Sequence, residues 1–116
     1  MLIDSLMTTY QPTTIFAALS DPIRLAVVTQ LARGPASVSQ LRAPFTIAGP
    51  TFLKHLQVLE AAGLVTSRKD GRVRTCSVRR DTLDWVETWV RSVRNDAEQR
   101  LDRLEQFLDE EERNDD

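Results

Sequence analysis

Several absences narrow the reading of this 116-residue chain before any pattern is sought. There is one cysteine, Cys76, which excludes an internal disulfide framework and fits a reducing compartment. There is one histidine, His55, on a different segment. A soft or borderline metal ion needs three or four convergent ligands, so this supply points to no metal and no metal cofactor. The chain has no glycine-rich phosphate loop and no Cys/His pair at suggestive spacing, so the expectation is a protein that is not an enzyme. No apolar run approaches the roughly 20 residues that cross a bilayer. No Lys or Arg precedes Arg24, so the start lacks the basic region of a secretory signal. Together these point to the cytoplasm and away from membranes. Met1 to Leu6 show no organised pattern, which leaves Met7 open as an alternative start.

What is present suits one soluble globular domain: 41% hydrophobic and 28% charged residues in a chain of one domain's length. The net charge of −2 hides an asymmetry. Residues 1–80 hold ten Lys/Arg against four acids, a net of +6, whereas residues 81–116 hold five against thirteen, a net of −8. The overall acidity therefore does not argue against a nucleic-acid partner.

The pattern along the chain is mainly α with a small β-hairpin. A first helix covers about Thr13 to Leu19. Asp21 followed by Pro22 reads as a capping acid before a proline at the first helical position, and Gly34-Pro35 stops that second helix. Ser37 caps a short third helix carrying Val38 and Leu41, ended by Pro44. A loop from Phe45 leads to a fourth helix, Pro50 to Ala62, with Phe52, Leu56 and Leu59 on its buried stripe. Two β-like runs, Leu64 to Lys69 and Arg72 to Val78, are joined by Asp70-Gly71, a two-residue hairpin signal that asks for positive φ at both positions. Asp81 caps a last helix to about Glu111, which at about 1.5 Å per residue is roughly 45 Å long. From Asp109 onward the chain is mostly charged and is expected to fray.

A short helix, a tight turn, a second helix and a basic hairpin in succession describe a winged helix-turn-helix. Residues 48–80 carry seven basic residues and two acids, and Arg68, Lys69, Arg72 and Arg74 flank the hairpin turn. Cations there can reach phosphates while a helix enters the major groove of double-stranded DNA. The alternative is that they merely protect a strand edge. On the fourth helix, Thr51 and Lys54 are the polar candidates of the outer face. His55, one position round from Lys54, is a further DNA candidate whose alternative is packing at the edge of the core.

The stretch Ala48-Gly49-Pro50-Thr51-Phe52-Leu53-Lys54-His55-Leu56-Gln57-Val58-Leu59-Glu60-Ala61-Ala62-Gly63-Leu64-Val65, with Asp70-Gly71-Arg72 after it, resembles the recognition helix and wing of the ArsR/SmtB family of bacterial repressors. Phe16-Ala17-Ala18-Leu19-Ser20-Asp21-Pro22-Ile23-Arg24-Leu25 resembles the family's opening phrase. The resemblance covers about residues 13–80. It implies a homodimeric regulator, usually a repressor, with the first and last helices at the dimer interface and a base-contacting surface at Gly49, Pro50, Leu53 and Lys54. Many members have polar residues where Gly49 and Leu53 stand. Leu53 cannot donate to a base edge, but it can touch a thymine methyl.

Metal-sensing relatives carry ligands on the helix before the turn or on the last helix. Here the segment Ser39 to Ala43 has no cysteine and the last helix has no histidine. A small-molecule effector, unidentified, stays open. Cys76, alternating with Arg74 and Val78, reads as a small core hydrophobe. In the last helix Leu83, Val86, Val90, Val93, Ala97, Leu101, Leu104 and Leu108 form a near-heptad seam with one stutter near Ala97, and Trp85 and Trp89 lie beside it. So long a stripe is expected to pair with a second copy. The interface expected from both helices is Ile15, Phe16, Leu19, Trp89, Val90, Val93, Ala97, Leu101, Leu104 and Leu108. The expected architecture is thus a tail (1–12), a winged helix-turn-helix domain (13–80), a C-terminal dimerisation helix (81–112) and a tail (113–116). The rival readings are a protein-interaction module on the same fold and a regulator gated by a ligand in the dimer interface.

Overall fold

The computed structural model describes residues 11–114. The alternative start at Met7, the expected tail up to residue 10 and the last two residues lie outside the described residues. The chain divides into two compact units, one through Leu83 and one from Asp84. In order, the elements are α1 (Pro12–Leu19), α2 (Pro22–Leu31), β1 (Ala36–Ser37), α3 (Val38–Arg42), α4 (Gly49–Ala61), β2 (Val65–Asp70), β3 (Val73–Val78) and α5 (Arg80–Asn114).

Local chemistry explains most boundaries. The Asp21 carboxylate accepts from the amides of Ile23 at 2.9 Å and Arg24 at 3.1 Å, satisfying two otherwise orphaned donors, and Pro22 begins the helix. Ser37 and Gln40 form a reciprocal capping box at the start of α3. Gly63 ends α4 with φ of 77°, a conformation that strains any residue with a Cβ. Its carbonyl accepts the hydroxyl of Thr82, which is fully buried.

The core of the first unit gathers one side of every element. Leu41, Phe52, Leu59, Leu64 and Cys76 have no exposed surface, and Leu56 only 3%. The expected stripe of α4 is the face that is buried. On α2 the buried residues are Val27, Val28 and Leu31.

Three expectations need correction. The sheet has three strands, ordered β1-β3-β2 and all antiparallel, because the two residues before α3 pair with the free edge of β3: Ala36 with Cys76 and Ser37 with Thr75. The wing turn is Gly71-Arg72, since Asp70 pairs with Val73, and only Gly71 takes positive φ, 62°. Glycine first and an ordinary residue second is the preference of a type II′ hairpin, so Asp70 stays in the strand. Arg72 moves from strand to tip. Finally, α5 starts at Arg80 with Asp81 inside its first turn, paired to Arg79 at 2.7 Å, and it continues to Asn114 instead of fraying from Asp109.

Candidate nucleic-acid interface

With Phe52, Leu56 and Leu59 turned into the core, α4 presents Pro50, Thr51, Leu53 and Lys54 outward. Leu53 is 45% exposed, a large apolar side chain left on a surface. The turn that delivers α4 is held by Arg42, whose Nε and Nη2 donate to the Ile47 carbonyl at 3.2 and 3.0 Å. Phe45 stacks on Phe52 with ring centroids 6.1 Å apart, tying the same turn to the core. Gly49 opens the helix, half-buried against Arg42, and the preceding Ala48 offers no side-chain cap.

The wing brings the second set of residues to the same place. Ser37, Ser39, Leu53, Arg72 and Arg74 line, with Val38 and Val73, a cleft of about 340 Å³. The tip of the wing therefore stands beside the outer face of α4. In the β2–β3 register Lys69 stands directly opposite Arg74, so both project from one face of the ribbon. Arg74 also donates to the Ser67 hydroxyl at 3.1 Å. Arg68 pairs with Thr75 one step along, which sends it to the other face. Of the four wing cations, Arg72 and Arg74 line the cleft, Lys69 shares the ribbon face of Arg74, and Arg68 is turned away.

His55 departs from the DNA-contact expectation. Its side chain is 18% exposed and turned toward α2, where Arg24 Nη1 donates to Nδ1 at 3.2 Å and Asp21 Oδ2 lies 3.8 Å away. Arg24 also donates to the Ala18 carbonyl at 2.7 Å, so one guanidinium joins the end of α1, the start of α2 and the flank of α4. The Arg24 amide, more than any other group, holds the Asp21 carboxyl below its ordinary range, and His55 and the Ile23 amide add to it against the opposing effect of burial. Burial pushes the Cys76 thiol up, helped by the Glu60 carboxylate, which leaves a poor nucleophile inside the core.

Ser37, Ser39 and Arg42 belong to this surface but were not among the expected site residues. The S-x-x-Q spacing of Ser37 and Gln40 was a readable cap signal. Nothing in the sequence showed that the wing would fold over that cap.

The expected interface residues divide. Ile15 is 1% exposed within its own chain, so it has no surface left for a partner; it faces inward because α1 uses Ile15 and Ala18 to close its own core. Phe16 is 36% exposed and Leu19 is half-buried. On α5, Val90, Val93, Leu101, Leu104 and Leu108 are all 47–63% exposed, Ala97 is exposed and Trp89 is half-buried. Phe107, at 57% exposure, joins them as a residue the expected interface omitted. It lies three residues after Leu104, a helical spacing that could have found it. Among the described residues no group of three or more His, Cys, Asp or Glu could hold a metal ion, and no single helix is long and apolar enough to cross a membrane.

Residues 19–68 match a family model described as a helix-turn-helix domain. The chain is 39% identical over 66 residues to HTH-type transcriptional regulator Rv2034 of Mycobacterium tuberculosis, covering 56% of this chain and 62% of that one. It is 33% identical over 73 residues to the arsenical resistance operon repressor of Staphylococcus xylosus, covering 63% and 70% respectively. It thus spans somewhat under two thirds of the first relative's length. Among solved structures, the ArsR family transcriptional regulator RHA00566 superposes with a TM-score of 0.71 at 45% identity, covering 73% of this chain and 93% of that one.

Proposed function

Given that the chain belongs to the ArsR/SmtB family of winged helix-turn-helix regulators, we propose that it is a transcriptional repressor that binds double-stranded DNA as a homodimer in the cytoplasm. In this reading α4 lies in the major groove and the wing holds the phosphate backbone. The observation that carries it is Lys69 facing Arg74 across the ribbon, next to the cleft where Arg72, Arg74 and Leu53 meet. Like charges directly opposite each other destabilise a sheet. An anion lying along the wing relieves that repulsion, and DNA offers phosphates at the spacing of a backbone. The uncapped start of α4 supplies amide donors for a further phosphate. Thr51 and Lys54 are the polar readers of base edges, and Leu53 suits a thymine methyl.

The role requires no catalytic group. A small-molecule effector would have room beside α2, in a cleft of about 1010 Å³ lined by Leu25, Ala26, Thr29, Arg33, Pro35 and Gln40 among others.

Selection of bound sequences from a random duplex pool, followed by titration over a range of salt, tests the proposal. We expect a two-fold symmetric site and a steep salt dependence. The Arg72→Glu, Arg74→Glu double substitution removes two cations from the wing, so the log–log salt slope should fall by about one unit for each lost phosphate contact. Specific binding with an unchanged slope in that variant overturns the wing assignment.

A further inference from the structure

The side chains that seat α4 in the first unit are almost all apolar. Phe52, Leu56 and Leu59 fill the core behind it, and Phe45 stacks on Phe52 near its start. Apolar burial is non-directional, whereas a hydrogen bond has a distance and an angle to satisfy. Among the described residues, one side-chain hydrogen bond joins α4 to another element: Arg24 Nη1 to His55 Nδ1, at 3.2 Å.

The donor of that bond is itself fixed. Arg24 Nε donates to the Ala18 carbonyl at 2.7 Å and Nη2 to the Ala17 carbonyl at 3.3 Å, both in the last turn of α1. A cation there also complements the negative end of the helix dipole. Asp21 holds the root of the same residue by accepting from the Arg24 amide at 3.1 Å. A guanidinium is planar and rigid, so two bonds to one helix settle where its remaining donor points. It has no lone pair to offer, so Nδ1 is the acceptor and the ring proton of His55 lies on Nε2. At 3.8 Å from Nδ1, Asp21 Oδ2 is too far to take over this contact.

We infer that Arg24 and His55 are positioning residues for sequence recognition: the pair sets the rotation of α4, and with it the place of Thr51, Leu53 and Lys54, without touching DNA. This deepens the DNA-binding reading above and rests on it. Lys54 directly precedes His55 in the chain and Thr51 stands one turn earlier, so a turn of the helix at His55 carries both with it. Turning a helix by roughly 20° moves side-chain tips, about 5–6 Å from its axis, by about 2 Å. A base-edge hydrogen bond tolerates only about 0.5 Å in length. The wing behaves differently. Lys69 and Arg74 stand on β2 and β3 and Arg72 at the tip between them, so their hold on phosphates survives a rotation of α4. Loss of the Arg24–His55 bond should therefore appear as lost discrimination between sequences, with general affinity and its salt dependence kept.

Two substitutions separate the acceptor of His55 from its bulk. His55→Leu keeps an apolar side chain of some size and removes the acceptor. His55→Asn is smaller but carries an oxygen on Cγ, where the imidazole carries Nδ1. Binding is measured on the selected duplex and on a random duplex over a range of salt. In His55→Leu the preference for the selected duplex should fall by about tenfold, with random-duplex affinity, salt slope and Tm near those of the unsubstituted chain. His55→Asn should recover most of the preference. Arg24→Lys, whose ammonium cannot hold the same fork, should lose preference as well, and adding His55→Leu to it should cost little more. An undiminished preference in His55→Leu overturns the inference, and so does an equal loss on both duplexes. Better retention by His55→Leu than by His55→Asn makes the ring a packing group and overturns it too, as do losses that simply add in the double variant. An unsubstituted chain that does not distinguish the two duplexes removes the DNA-binding reading itself.

Discussion

The two units of this chain treat their apolar residues in opposite ways. Through Leu83 the large hydrophobic side chains turn inward: Leu41, Phe52, Leu59 and Leu64 are completely covered. From Val90 onward they turn outward, and Leu101, Leu104, Phe107 and Leu108 are each more than half exposed. The first unit has a core because several elements face one another there. A lone helix has no second element to face, so its stripe can be dried only by another molecule. The comparison teaches that stability in the first unit is intramolecular, whereas the exposed stripe of α5 gains little within its own chain; in the proposed homodimer it is the part whose stability depends on concentration.

The largest effects should come from the core. Phe52→Ala removes a fully buried ring that also stacks on Phe45, and truncations of this kind cost about 3–5 kcal/mol. Thermal melting at fixed protein concentration should show a loss large enough to unfold much of the population, at every concentration tested. Next comes the seam. Val93→Glu with Leu101→Glu sets two carboxylates in the exposed stripe expected to pair with a second copy, where each lost apolar burial is worth about 1.5–3 kcal/mol. Sedimentation should show monomers, with the melting of the first unit little changed. Were the double Glu variant to melt early as a monomer, the contrast between the two units would fail.

How far the sequence reveals this fold depends on whether a residue's environment lies within its own element. The stripe Phe52, Leu56 and Leu59 is legible because helical periodicity alone aims those residues at one side. The caps Asp21 and Ser37 are legible because their partners lie two or three residues on. The strand β1 is not, since Ala36-Ser37 has no β-forming character and becomes a strand only by meeting the free edge of β3. The wing turn is displaced by one residue because Asp-Gly and Gly-Arg both offer a glycine, and backbone geometry chooses the second. Ile15 is the sharpest case. An eight-residue helix shows which side is apolar, but not whether that side meets its own chain or a partner's. For the same reason His55 could not be assigned: its position on the flank of α4 fits both an outward and an inward rotamer, and Arg24 on another helix decides between them. At the interface, cation number was legible, whereas the split of Arg68 from Lys69 and Arg74 needed the register.

A smaller effect should distinguish local from global stability within the first unit. Asp21→Ala removes two backbone bonds at the start of α2 and should cost about 1 kcal/mol at neutral pH. The carboxyl is held below its ordinary range, so its contribution is fully present above the unfolded value near 3.9 and is lost as pH falls through the folded value. The stability gap between the native chain and the Ala variant should therefore close in acid, below about pH 4. Asp21→Asn, which caps without titrating, should remove that pH dependence and keep most of the stability. A gap of constant size across the acid range would mean that the carboxylate is not what stabilises this helix start.

The smallest expected effect bears directly on what covers α5. In a lone helix, Arg94→Ala breaks one exposed ion pair with Glu98, worth about 0.3–0.5 kcal/mol and screened by salt. Its order, Arg before Glu, is also the weaker orientation for an i,i+4 pair. Glu87–Arg91 has the favourable order, at 2.6 Å, so by helix rules alone Glu87→Gln should cost more than Arg94→Ala. Thermal melting followed by the helix signal should therefore show the larger loss for Glu87→Gln, with both losses shrinking at high salt. A larger loss for Arg94→Ala would mean that the Arg94 guanidinium is held by a group outside its own helix.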